Sequence, residues 1–171
     1  MTKISVLSDV HLLDEAKKCI KELSAEAVTF PDGENEDLEA LVSRTGDAEI
    51  ILVSPRTKIT QLYLERCPGV RYIGVCGTSL TNLDVNALAQ RGVVYTNVKD
   101  YGDEPTAEFI FMQLARLLRG VGNYQWKTEP HELMGKAIFI IGLGALGQAI
   151  ARLALAYKMQ VHYFSRTRKK K

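Results

Sequence analysis

Short apolar runs and segments of helical period alternate along the first hundred residues. Ile4-Ser5-Val6-Leu7 reads as a first strand, and Ala27-Val28-Thr29-Phe30 as a second, closed by the turn-forming Pro31-Asp32-Gly33. Glu49-Ile50-Ile51-Leu52-Val53, Tyr72-Ile73-Gly74-Val75 and Val93-Val94-Tyr95 supply three more. Between them, Asp14 to Leu23 carries Ala16, Ile20 and Leu23 near helical spacing with lysines interleaved. Further helices are expected at about Asp37 to Val42, Ile59 to Glu65 and Asp84 to Gln90. Strands separated by short helices make a parallel sheet covered on both faces. Right-handed crossovers wind such a sheet doubly, most simply in the flavodoxin-like order. The expectation for residues 1–100 is therefore an α/β domain on a five-stranded parallel sheet.

The pattern changes near Tyr101. Asp103 and Glu104 precede Pro105, placing acids at a helix N-terminus and proline at its first position. From Thr106 to about Arg119 the helix is apolar on more than one face, with Phe109, Phe111, Met112, Leu114 and Leu118. Such a helix is buried between layers or used at a subunit contact. Gly120 and Gly122 end it, and 123–135 reads as an irregular arm carrying Trp126. Residues 101–135 are thus a connecting helix and arm, and 136–171 a second, incomplete unit.

Composition narrows the class. With 46% hydrophobic and 25% charged residues and a formal net charge of +2, the chain is of ordinary globular type. The charge is too small to imply a nucleic-acid or membrane partner, and the basic end from Arg166 to Lys171 has no aromatic platform beside it. The N-terminus lacks an apolar run of signal-peptide or membrane-span length. Cys19, Cys67 and Cys76 are odd in number and far apart, without a CxxC, which reads as buried free thiols in a reducing compartment and points to the cytoplasm. His11, His131 and His162 sit in no motif, and no metal-ligand spacing appears.

One motif carries chemistry. Ala137-Ile138-Phe139-Ile140-Ile141 is a continuous apolar strand, followed at once by Gly142-Leu143-Gly144-Ala145-Leu146-Gly147, a helical segment from Gln148 to Lys158, and a strand at Val161-His162-Tyr163-Phe164. A GxGxxG between strand and helix inside a βαβ unit is the context of a dinucleotide-binding Rossmann domain. Gly142 permits the tight turn, Gly144 lets a pyrophosphate approach the backbone, and Gly147 allows close helix–strand packing. Free N–H groups around Ala145 and Leu146, at the positive end of the helix, favour phosphate. At the end of the second strand an NAD-binding domain usually places an acid for the ribose 2′-hydroxyl. Here stand Ser165, Arg166 and Thr167, which suit a 2′-phosphate, so NADP is expected over NAD. The alternative for Arg166 is membership of a solvated basic tail.

Taken together these residues resemble the D-isomer-specific 2-hydroxyacid dehydrogenases, over essentially all 171 residues as the N-terminal half of such an enzyme. The resemblance is carried by Val53-Ser54-Pro55-Arg56-Thr57-Lys58-Ile59-Thr60, by Ile73-Gly74-Val75-Cys76-Gly77-Thr78-Ser79-Leu80-Thr81-Asn82-Leu83-Asp84, by Arg91-Gly92-Val93-Val94-Tyr95-Thr96-Asn97, and by Glu132-Leu133-Met134-Gly135-Lys136 before the glycines. It implies that residues 1–100 are a substrate domain whose loop at Gly77, Thr78 and Ser79 holds a carboxylate through backbone N–H groups. It also implies hydride transfer between NADPH and a small 2-oxoacid or 2-hydroxyacid, and a homodimer. Ser79 and Leu80-Thr81 depart from the family's usual glycine and aromatic–acid pair. The family's substrate-gripping Arg, its acid–base His and the Glu that tunes it lie beyond the second nucleotide-domain strand, so no catalytic residue is assigned among these 171. The alternative is a catalytically inactive, truncated remnant that binds nucleotide weakly and self-associates through its uncovered surface.

Overall fold

A computed structural model describes residues 2–33, 37–122 and 129–166. The chain divides into two units, Met1–Lys99 and Asp100–Lys171.

In the first unit, four strands form one parallel sheet in the order β1 (Ile4–Val6), β2 (Ile50–Val53), β3 (Tyr72–Val75), β4 (Val94–Asn97). The register runs Ile4↔Ile50↔Tyr72↔Val94 across the sheet. The helices are α1 (Asp14–Leu23), α2 (Leu38–Thr45), α3 (Gln61–Arg66) and α4 (Val85–Arg91). Three of them begin at a side chain that satisfies an orphan backbone donor. Asp37 accepts from the Ala40 N–H, Thr60 from the Tyr63 N–H, and Asp84 from the Ala87 N–H. Ile51, Val53, Ile73 and Val75 project from the central strands into a core shared with Leu41, Ile59, Tyr63, Leu64 and Leu88. The Tyr63 hydroxyl, buried at 2.5 Å from that of Thr45, is pushed well above the usual phenol range, first by its burial.

The expected strand at Ala27 to Phe30 is not one, so the sheet has four strands among the described residues rather than five. The chain is tied only on either side of this segment, where the Ala25 N–H donates to the Thr2 carbonyl ahead of β1 and the Asp9 N–H, beyond β1, to that of Gly33. Lys17 and Lys21 stand over the Phe30 ring instead, at 5.9 and 5.6 Å from its centroid. The β propensity of Val28 and Phe30 is thus satisfied by packing without a ladder. The order of the other four strands is the flavodoxin-like one.

The second unit holds α5 (Asp103–Arg119), β5 (Ala137–Ile141), α6 (Ala145–Ala156) and β6 (Gln160–Phe164). β5 and β6 are parallel, from Ala137↔Gln160 to Ile141↔Phe164. One face of this pair, with Ile138 and Val161, packs with Phe111, Leu114, Leu118, Ala154 and Met159. Phe111 and Tyr157 stack at 5.3 Å. The opposite face carries Phe139, Ile141 and Phe164, which are 63%, 81% and 62% exposed. On α5 the two readings divide by side: Ala107 and Phe111 are buried, whereas Phe109 and Met112 are exposed. α6 begins three residues earlier than its apolar period suggests, because Ala145, Leu146 and Gly147 of the glycine motif form its first turn. Trp126 lies outside the described residues.

Candidate functional site: a phosphate cradle and an anion loop

The turn from β5 into α6 is shaped by glycine. Gly142 has φ +96°, a backbone conformation that side chains rarely tolerate. A Cβ on Gly147 would stand 2.1 Å from the Gly142 carbonyl oxygen, so helix and strand meet here more closely than any other residue allows. A Cβ on Gly144 would meet nothing within 4 Å, because the space beyond it is open. Gly144, Ala145, Leu146 and Gly147 have N–H groups with no acceptor among the described residues, and no acidic side chain lies in the helix's first turn. Donors that converge at a helix N-terminus with no protein acceptor suit a diphosphate. The Gly142 N–H donates to the Phe164 carbonyl at 2.8 Å and so ties the glycine turn to the end of β6. Ile141, Gly142, Leu143, Gly144, Phe164, Ser165 and Arg166 line one cavity of about 460 Å³. Arg166 is exposed and makes no hydrogen bond or ion pair with the described residues. Thr167 lies outside the described residues.

The second candidate lies in the first unit, at the C-terminal ends of its parallel strands, where α/β sheets bind ligands. After β3, Gly77 turns back with its N–H on the Val75 carbonyl and packs against the β2 loop. A Cβ at Gly77 would fall 2.1 Å from Pro55 Cγ. Thr78 is exposed and Ser79 half-buried, and the N–H groups of Thr78, Ser79 and Leu80 have no acceptor among the described residues. The Ser79 hydroxyl pairs with that of Thr81 at 2.9 Å. Burial pushes the neighbouring Cys76 thiol up from its ordinary value. The structure thus brings Gly77, Thr78 and Ser79 into one donor-rich loop, and Gly142, Gly144, Ala145, Leu146, Gly147, Ser165 and Arg166 into one cradle.

A buried polar hub beneath the anion loop was not foreseen from sequence. Asn82 Nδ2 donates to the carbonyls of Ser54 (3.2 Å) and Thr57 (2.9 Å). Ser8 Oγ accepts from the Ser54 N–H and from the Thr57 hydroxyl. The loops after β1, β2 and β3 are therefore pinned to one another. Ser8 and Ser54, each directly following a strand expected from sequence, were the available signal. The three histidines remain outside both sites. His11 is exposed with φ +48° and its Nδ1 is 3.1 Å from an Asp9 carboxylate oxygen, while His131 and His162 are exposed. Cys67 is buried as expected, but Cys19 is exposed on α1, where the lysine-bearing side faces water. Among the described residues no group of three potential metal ligands gathers, and no helix is long and apolar enough to cross a membrane.

A glycine turn of this form between strand and helix of a βαβ unit is the arrangement of Rossmann-type dinucleotide-binding folds. The chain belongs to the D-isomer specific 2-hydroxyacid dehydrogenases, whose catalytic-domain profile matches residues 5–167. It is similar to a hydroxypyruvate reductase of Blautia hydrogenotrophica, 30% identical over 156 residues, which cover 82% of this chain and 48% of the relative. A glyoxylate reductase of Pyrococcus furiosus is 31% identical over 148 residues, covering 77% and 44% respectively. The chain spans about half the length of these curated relatives. The solved TT0316 protein of Thermus thermophilus superposes with a TM-score of 0.86 at 23% identity over 99% of this chain and 58% of that one, which establishes a common fold. Solved structures of this fold hold NAD+ in one case and NADPH in another.

Proposed function

We propose that the chain is the substrate-binding and cofactor-entry part of an NADPH-dependent 2-oxoacid reductase or 2-hydroxyacid dehydrogenase. In this reading residues 1–100 form the substrate domain, 101–135 the connecting helix and arm, and 136–171 the start of the nucleotide domain. The free N–H groups of Thr78 and Ser79, with the turn at Gly77, hold the substrate carboxylate. Those of Gly144, Ala145 and Leu146 hold the diphosphate, with Gly142 and Gly147 shaping the turn. Bound NADPH supplies the hydride that reduces the 2-oxo carbon. The observation that carries the reading is the cavity at the glycine turn, which ends on Ser165 and Arg166 where an acid would select NAD. A guanidinium with no partner among the described residues at that point attracts a 2′-phosphate and gives nothing to a 2′-hydroxyl that an acid would not give better. Thr167, next in sequence, is a further hydroxyl donor for the same phosphate.

Titration of the purified chain with NADPH and NADH tests this. NADPH is expected to bind more tightly, and Arg166→Ala to weaken NADPH by about tenfold while leaving NADH unchanged. Equal affinity for the two cofactors in the wild type refutes the NADP preference. The free thiols support a cytoplasmic enzyme. The exposed Phe139, Ile141 and Phe164 support self-association, and the exposed side of α5 supports a homodimer. The uncovered apolar face also favours a second reading, a catalytically inactive form with weak nucleotide binding. Turnover of a 2-oxoacid by the purified chain would sink that one.

A further inference from the structure

The anion loop does not orient its own donors; the end of β4 does it for them. In a trans peptide the C=O and the following N–H point in opposite directions, so a partner that holds the carbonyl also aims the N–H. No peptide bond among the described residues is cis. The Gly77 carbonyl accepts from the Val98 N–H at 3.1 Å, which turns the Thr78 N–H the other way. The next carbonyl, that of Thr78, accepts from Asn97 Nδ2 at 2.8 Å, which turns the Ser79 N–H the other way in the same manner. Two consecutive residues at the end of β4 thus hold two consecutive peptide planes of the loop after β3. Neither freed N–H has an acceptor among the described residues. The first grip is backbone to backbone and independent of residue type. The second is a side-chain amide, placed by the parallel register in which Val75 faces Asn97.

We infer that Asn97 is a positioning residue for the carboxylate site, aiming the Ser79 N–H at the substrate without touching it. This rests on the proposed assignment of the anion loop to a 2-oxoacid carboxylate. The role needs a donor at Asn97, because a carbonyl can be held only by a group that gives it a proton. Aspartate, nearly the same shape, presents only acceptors when ionised and would push the Thr78 carbonyl away.

The test follows the backbone amide resonances of the isotope-labelled full chain during titration with glyoxylate, the smallest 2-oxoacid, at neutral pH. In the wild type, Thr78 and Ser79 should both respond saturably. In Asn97→Ala and in Asn97→Asp, glyoxylate should bind about tenfold more weakly. The Ser79 response should be lost and the Thr78 response, held through Val98, retained. Resonances of Ile51, Val53 and Ile73 report that the sheet is intact. A role in packing alone would spare the aspartate variant, and a Ser79 response that survives in both variants overturns the inference while leaving the carboxylate site standing. Thr78 and Ser79 amides that ignore glyoxylate in the wild type overturn the carboxylate site itself, and the inference with it.

Discussion

Gly144 and Gly147, three residues apart in one motif, are needed for different reasons, and substitution separates them. A methyl group on Gly147 collides with backbone at 2.1 Å, and backbone cannot step aside as a side-chain tip can. We expect Gly147→Ala to cost about 1–3 kcal/mol of stability, seen as a lower melting temperature, and to weaken NADPH as a consequence. A methyl group on Gly144 enters open space, so Gly144→Ala should melt as the wild type does and still lose NADPH, whose diphosphate needs that space. Calorimetric melting beside cofactor titration distinguishes the two. The glycine turn and the close helix–strand approach at Gly147 were legible from sequence, because the strand before and the helix after constrain the turn between them. Asn82 and Asn97 were not. Both lie inside quoted motifs, yet their partners are carbonyls 19 or more positions away, and only the tertiary fold brings them together.

At the level of elements, a helix or strand is read correctly when its own residues carry the signal, and misread when a neighbour decides. α1 and β5 have the expected boundaries because their apolar period and apolar run are self-contained. Ala27 to Phe30 has strand-like residues but lacks a ladder, since the bonds nearby join only the residues that flank it and β1. The β5–β6 pair shows the same dependence. Its two faces read alike in sequence, but Ile138 and Val161 pack in the core while Phe139 and Ile141 meet water. Val161→Ser should therefore lower the melting temperature through a lost buried contact. In the proposed self-association, Ile141→Lys, at a side chain 81% exposed, should leave melting unchanged and shift the chain toward monomer in sedimentation. Unaltered association in Ile141→Lys would exclude this face as the contact.

Over the whole molecule, surface ion pairs add a small pH-dependent contribution to stability in acid. Glu39 on α2 receives both Arg66 nitrogens of α3, at 2.8 and 2.9 Å, and this hydrogen bonding, followed by the guanidinium's charge, holds its carboxyl below the usual range. The hydrogen bond from Lys3 lowers Asp47 in the same way. A carboxylate with a depressed folded pKa contributes stability that is complete above its unfolded value and disappears as pH falls through the folded one. Melting temperature should thus be insensitive to these pairs from pH 7 to about 5 and decline below about pH 4.5. Glu39→Gln should show a smaller decline over that acid range, and an unchanged acid limb would mean the pair contributes nothing. Both pairs are exposed, so the effect is small and screened by salt.

The amino-acid sequence by itself determined the α/β class, the strand order of the first unit, the place of the glycine turn between β5 and α6, and the family. Each of these follows from local periodicity, from glycine's conformational freedom, or from residues adjacent in the chain. Tertiary structure alone decided which strand-like segment joins the sheet and which face of β5 and β6 is covered. It also decided which carbonyls aim the N–H groups of the anion loop. These outcomes depend on hydrogen bonds and packing between segments far apart in sequence, whose pairing exists only once the register is set.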